Sequence, residues 1–132
     1  MNDIVAAVIK AVPFISLATV GLDGQPLSTI VTATFRDGCI YWFSPSSTDH
    51  SQNIARDNRV SIVVFDQTHQ QKDALYIDSV ATIVDETDAQ FDGLFPDQAV
   101  RSETMDLYAV HIGDIDPVKS KDDRHYFKGT TV

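Results

Sequence analysis

The chain has 132 residues, of which 43% are hydrophobic and 22% charged, and its net charge is −9. This composition excludes a disordered chain or a coiled coil and predicts one globular domain over residues 1–132. Acidic residues outnumber basic ones 19 to 10 without any basic cluster, which excludes a nucleic-acid-binding face and disfavours binding to an anionic membrane.

The first predicted element is a short amphipathic helix over residues 2–12, where aliphatic side chains recur at helical spacing until Pro13. This segment lacks the basic start of a signal peptide, and the chain contains no apolar run long enough to span a membrane. We therefore expect a cytoplasmic protein. The single cysteine, Cys39, excludes a disulfide within the chain.

Three predicted strands follow, at Phe14–Val20, Leu27–Arg36 and Cys39–Ser44. The turns between them contain Gly21 and Gly24 in the first case and the strong hairpin pair Asp37-Gly38 in the second. Strands joined by such short turns form an antiparallel meander.

The second half of the chain alternates polar loops with further elements. A polar loop leads into a helix that ends at Arg56–Asn58, and a second short helix begins at Thr87. The remaining predicted strands are Val60–Phe65, Leu75–Val84 with an interruption at Asp78-Ser79, and Leu107–Ile115, followed by a polar tail.

Six strands with short helices predict a mainly β protein, a six-stranded antiparallel barrel that is closed or partly closed. The strands are nearly continuous in apolar residues, so we expect many of them to be covered on both faces, by the core on one side and by a helix or a second subunit on the other. The apolar segments Tyr41–Phe43 and Leu107–Val110 predict a surface patch and a twofold homodimer.

Residues Ser44–Asn53 form the segment with the most candidate ligand-binding side chains. Its hydroxyl groups precede a helix, where they suit an anionic phosphate or serve as ordinary caps, with Ser46 or Ser47 as the capping residue. The histidines lack the spacing of a zinc site, and the serines lack a hydrolase motif. We therefore predict no metal and identify no catalytic residue.

Several segments in fixed order are similar to the pyridoxamine 5′-phosphate oxidase-like family of FMN-binding split barrels. They comprise Phe14–Val20, Asp23-Gly24-x-Pro26, Asp37-Gly38-x-x-Tyr41-Trp42-Phe43-Ser44-Pro45, His50-Ser51-x-Asn53-Ile54, Arg56–Asp66 and Ala81-Thr82. The resemblance implies a six-stranded split barrel that forms a homodimer and holds FMN in clefts at the interface.

The resemblance also implies the flavin-binding positions. The ring would lie along Thr29, Ile30, Val31 and Thr32, with Asn53 and residues 59–63 packed behind the site. The phosphate would lie at Phe43, Ser44, Ser47, Thr48, Asp49 and His50.

This chain departs from the family at the phosphate. Many members carry basic residues where it has Ser28, Ala33 and the pair Asp49-His50, so we expect weaker phosphate binding, with a protonated His50 as one contact. Residues 124–128 match the substrate motif of the true oxidases too poorly to imply that substrate.

The sequence thus favours a flavoprotein oxidoreductase of the split-barrel type and leaves its small-molecule substrate open. One alternative is a binding module of the same fold that holds flavin, deazaflavin or haem without turnover. The other is a structural dimer without a cofactor.

Overall fold

The computed structural model describes residues 3–68, 73–85, 93–95, 105–112, 119–121 and 124–129. Its helices are α1 (Asp3–Ala11) and α2 (Asp49–Arg56). Its strands are β1 (Phe14–Val20), β2 (Pro26–Arg36), β3 (Cys39–Pro45), β4 (Arg59–Phe65), β5 (Ala74–Val80), β6 (Thr82–Val84), β7 (Met105–His111), β8 (Lys119–Lys121) and β9 (Arg124–Lys128). Within these ranges, no helix is long and apolar enough to cross a membrane.

The predicted meander of three strands is confirmed. Asp37 and Gly38 both have positive φ, at 53° and 81°, which is the backbone of a type I′ hairpin turn. β1 has the predicted bounds, and β2 and β3 each extend one residue further. The predicted helix start at Thr87 lies outside the described residues.

All nine strands belong to one curled sheet with the order β6-β7-β3-β2-β1-β4-β5-β9-β8. β5 and β6 lie far apart in this order, yet Ala81 alone connects them in the chain. The sheet must therefore curl until its two ends approach each other, which is the geometry of a barrel. The mainly β barrel fold is confirmed.

Of the two explanations for Asp78-Ser79, a bulge or a solvated face, the structure contradicts the bulge, because β5 stays paired there and Asp78 is exposed. The strand changes partner at Ala81. β5 pairs with β4 along its whole length, as far as Val80 opposite Arg59. The Ala81 N–H then donates to the carbonyl of Asn58 at 2.8 Å, and β6 continues on β7.

The predicted count of six strands is too low. Besides the division into β5 and β6, two strands lie in the segment predicted as a polar tail. β9 pairs parallel to β5, and this pairing buries Phe127 opposite Ile77. The predicted strand Leu107–Ile115 corresponds to β7, which begins two residues earlier, at Met105, and ends at His111; residues 113–115 lie outside the described ranges.

The core lies inside the curled sheet, where α1 contributes Val5, Val8 and Ile9. Burial alternates along β1, β3 and β4, so a single chain buries one face of each of these strands, and cover of the other face by a second subunit stays a prediction. β7 has buried residues on both faces.

The predicted apolar dimer patch is also wrong. Trp42 and Leu107–Val110 are buried within the chain itself, and Tyr41 and Phe43 pack against the small cluster around Phe95. Four large apolar side chains are exposed on the other half of the sheet, namely Phe14, Ile30, Val63 and Phe65. Leu22 in the first turn and Ile83 on β6 are exposed as well.

Candidate functional site

The barrel is split where β2 and β3 separate. Their ladder ends at the pair Ala33 and Trp42. Beyond that pair, Pro26–Thr32 follow β1 while Phe43–Pro45 follow β7. The two strands thus diverge beside the segments to which the resemblance assigns the flavin.

The predicted ring-binding residues on β2 point to two different faces. Val31 belongs to the core with 8% of its surface exposed, whereas Ile30 is 65% exposed. Thr29 is opposite the buried Leu17, and Thr32 is opposite the exposed Phe14. Alternation along the strand therefore places Ile30 and Thr32 on the outer face. Side-chain contacts with an outer ligand would come from these two residues.

The N-cap of α2 is Thr48, not the predicted Ser46 or Ser47. Thr48 Oγ1 accepts a hydrogen bond from the backbone N–H of Ser51 at 3.2 Å and lies 3.0 Å from the Pro45 carbonyl. This second contact joins the cap to the end of β3, which explains why Thr48 is preferred over the neighbouring serines.

Three of the predicted phosphate residues form one hydrogen-bonded cluster. His50 Nε2 lies 2.9 Å from Ser44 Oγ and 3.3 Å from Thr48 Oγ1. We call Ser44, Thr48, His50 and Ser51 the hydroxyl cluster, because Ser51 Oγ lies 2.8 Å from Thr48 Oγ1. Ser44 and Ser51 are buried, so the cluster is held in one geometry by its surroundings.

The other predicted phosphate residues lie outside this cluster. Phe43 packs edge-on against Phe95 with ring centroids 4.9 Å apart. Ser47 is exposed, and its carbonyl accepts from Gln52 Nε2 at 3.4 Å. Asp49 is exposed in the first turn of α2, where a carboxylate is favourable to the helix dipole.

The surroundings of His50 decide its charge in the ligand-free protein. Burial lowers the pKa of His50 from its ordinary value of 6.5, and the nearby Asp49 carboxylate opposes this only in part. A folded-state pKa below 6.5 means that the imidazole is neutral at pH 7 in the ligand-free protein. The expected cationic contact would require a bound phosphate to raise this pKa, and it stays a prediction.

The sequence did not indicate that the hydroxyl cluster continues into the core. The side chains of Ser51 and Tyr108 are hydrogen-bonded, and burial raises the pKa of Tyr108 despite this bond. Tyr108 in turn stacks on Trp42 with ring centroids 5.8 Å apart. The only available signal was the position of Tyr108 in an apolar strand, which does not identify its partner.

Asn53, predicted to pack behind the site, is buried on α2. Its Nδ2 donates to Thr19 Oγ1 at 3.0 Å, and its Oδ1 accepts from Arg56 at 2.6 Å. These bonds tie α2 to β1 and satisfy a buried amide.

Two open pockets lie on the outer face of the sheet, away from the cluster. The larger, of about 610 Å³, is lined by Arg59, Val60, Asp78, Ser79, Val80, Lys128 and Gly129. The smaller, of about 250 Å³, is lined by Ala18, Thr19, Val20, Pro26, Arg59, Val60 and Ser61. Neither lining contains a residue predicted to contact the flavin. Arg59 lies between the two pockets, with its guanidinium bound to Asp57 at 2.6 Å.

The donor set at the start of α2 does not fit a dianionic phosphate. Residues 43–52 contain no lysine or arginine, His50 is neutral, and Asp49 adds a negative charge. The cluster hydroxyls are already bonded to one another. Hydroxyls and a neutral imidazole both donate and accept hydrogen bonds, so the donor set suits an uncharged polar group better.

The described ranges contain no group of three or more histidine, cysteine or acidic side chains that could hold a metal ion. Metal ligation requires such a group to converge on one point. This part of the chain therefore offers no metal-ligand set.

Comparison with solved structures identifies proteins of the same fold. One is a Listeria innocua protein named after pyridoxamine 5′-phosphate oxidase (TM-score 0.67, 15% identity, 81% of this chain and 89% of that chain). Another is an F420 reductase (TM-score 0.66, 18% identity, 80% and 90%). A third is HutZ, a haem storage protein from Vibrio cholerae (TM-score 0.63, 19% identity, 84% and 90%). At these identities the similarity establishes the fold alone.

No protein in the curated set compared matches the chain significantly. Family membership rests instead on a sequence model that covers nearly the whole chain. The model of the family described as pyridoxamine 5′-phosphate oxidase matches residues 1–125, and the chain therefore belongs to that family.

Proposed function

We propose that this protein binds a flavin at the split between β2 and β3 and acts as an FMN-dependent oxidoreductase. The observation that carries the proposal is the divergence of the two strands beyond Ala33 and Trp42, next to Thr29–Thr32 and Phe43–Ser44. Membership of the family supports it. A bound flavin would supply the redox chemistry, and the chain would bind and orient it.

The test is reconstitution followed by reduction. The purified protein is incubated with FMN, separated from free flavin, and titrated without oxygen with NADH or NADPH. Retained flavin that loses its visible absorption in the titration supports an oxidoreductase. Retained flavin that neither nucleotide reduces contradicts NAD(P)H-dependent reduction and favours a carrier.

A non-catalytic binding module is the second candidate. It is favoured by the absence of lysine and arginine from residues 43–52, which leaves the site without a cation for the FMN phosphate. The structural relatives named for haem storage and F420 reduction show that their fold accommodates different cofactors. Retention of haemin but not of flavin would support this candidate. Retention of neither would favour the structural dimer without a cofactor.

We further propose that the protein is a homodimer, and we assign its interface to the outer face of β1, β2 and β4. Phe14, Ile30, Val63 and Phe65 are exposed there, and apolar side chains grouped on one sheet face usually mark an interface. Ile30 is directly opposite Ser16, and Ser16 is directly opposite Val63, so these residues form one row across the three strands.

Light scattering at micromolar concentration should give the mass of a dimer. Ile30→Glu should shift the mass towards a monomer, because a charge would be buried at the interface. Leu22→Glu is the matched control: Leu22 is also an exposed aliphatic residue, but it lies in the turn between β1 and β2. A monomeric mass for the unmodified protein would contradict the dimer.

A further inference from the structure

We propose that the hydroxyl cluster accepts the polar side chain of the flavin without recognising its phosphate, so that the protein binds riboflavin about as tightly as FMN. This inference rests on the proposed function, since it concerns how the same site selects its ligand. It specifies the ligand class as a flavin whose phosphate contributes no binding energy.

The first argument is charge. A phosphomonoester carries about −1.5 to −2 at pH 7, and tight phosphate sites supply arginine, lysine or several unpaired N–H groups. Ser28 and Ala33 are uncharged, and residues 43–52 contain no basic residue. Asp49 places a carboxylate in the first turn of α2, which opposes a second anion there.

The second argument is the hydrogen bonding of the cluster. Thr48 Oγ1 already accepts the Ser51 N–H, which removes one of the helix donors that an anion would use. Ser44 Oγ and His50 Nε2 are 2.9 Å apart and share one hydrogen bond. A phosphate dianion only accepts hydrogen bonds, so it would have to break these pairs. A ribityl hydroxyl both donates and accepts, so it can join the cluster without leaving an acceptor unpaired.

The third argument is the surroundings of His50. Asp49 lies beside it on α2, Asp106 on β7 is opposite Ser44, and Tyr108 on β7 is linked through Ser51. Despite these acidic groups, burial keeps the pKa of His50 below 6.5. The imidazole is therefore neutral at pH 7.5 and becomes a cation only as the pH falls through that lowered value. A charged His50 should therefore favour FMN over riboflavin only at acidic pH.

The experiment measures dissociation constants for riboflavin and FMN by quenching of flavin fluorescence, at pH 7.5 and pH 5.5. We expect the two constants to agree within about threefold at pH 7.5. At pH 5.5 the affinity for FMN should rise relative to the affinity for riboflavin, and His50→Gln should abolish this increase. FMN binding that is tenfold tighter or more at pH 7.5 would overturn the inference while leaving the proposed function intact. Failure of both flavins to bind would overturn both.

A charge-reversal variant tests the position of the phosphate. Asp49→Lys replaces an exposed acid by the cation that the site lacks, and it should tighten FMN binding by about tenfold to a hundredfold without changing riboflavin binding. Asp23→Lys, at an exposed turn between β1 and β2, is the control and should change neither. Equal gains for both flavins with Asp49→Lys would show that the phosphate end does not lie at α2 and would overturn the inference.

Discussion

Trp42→Ala is expected to lower the free energy of unfolding by about 3–5 kcal/mol. Trp42 is fully buried and lies at the last residue pair between β2 and β3. It also stacks on Tyr108 with an angle of 10° between the rings. The substitution therefore leaves a cavity at the point where the barrel divides, and it removes the aromatic partner of the residue that supports the hydroxyl cluster.

Trp42→Phe should cost much less, about 1.5 kcal/mol or below. The indole N–H of Trp42 has no hydrogen-bond partner among the residues that the structure describes, and a buried donor without a partner costs about 1–3 kcal/mol. Phenylalanine removes that donor and keeps most of the apolar volume. Urea denaturation of both variants measures the difference. Leu22→Ala, at an 82% exposed position, is the control and should stay within about 0.5 kcal/mol of the unmodified protein. Equal losses for Trp42→Phe and Trp42→Ala would contradict the expectation that a phenyl ring fills most of this site.

Gly129→Ala is expected to destabilise the protein by about 1–3 kcal/mol through overpacking. Gly129 directly follows β9, and its N–H donates to the Asp78 carbonyl at 2.8 Å. A Cβ at this position would overlap Ser79 Oγ, and it would lie 2.6 Å from Ser79 Cβ and 3.0 Å from the His111 carbonyl oxygen. Two of these three contacts are with atoms that cannot rotate away.

A second substitution identifies the contact responsible. Ser79→Gly removes both side-chain atoms, so the double variant should be more stable than Gly129→Ala alone, although the His111 carbonyl still limits recovery. Gly93→Ala is the matched control, because its Cβ would meet only the mobile end of Arg36 at 3.3 Å. Thermal denaturation compares the four proteins. A double variant no more stable than Gly129→Ala would contradict the assigned clash.

The sequence correctly predicted the turns and the element ends that are determined by neighbouring residues. The Asp37-Gly38 turn, the bounds of β1 and the end of α2 at Arg56 all follow from nearby residues. The change of partner from β4 to β7 at Ala81 does not follow from nearby residues. It depends on Asn58 accepting a hydrogen bond and on β7 being available as a partner. Likewise, Tyr126 and Phe127 gave no strand signal of their own. β9 forms because β5 offers an edge, which lies about fifty residues earlier in the chain.

The candidate site was predictable to a similar degree. The segment Ser44–His50 was identified from its hydroxyls and its resemblance to the family, and the structure brings Ser44, Thr48 and His50 together. The protonation state of His50 was not predictable, because it depends on burial against β3. The choice of Thr48 as cap depends on the position of the Pro45 carbonyl, which adjacent hydroxyl residues do not reveal.

The parallel pairing of β5 with β9 has a consequence for synthesis on the ribosome. β1 to β5 can pair with one another as soon as they emerge, but the outer edge of β5 must wait until residues 124–128 have been made. Until then the nascent chain exposes a row of unpaired backbone groups next to Leu75 and Ile77, and such an edge readily joins another chain. The interval between translating β5 and β9 is therefore a stage at which this edge is open to pairing with another chain.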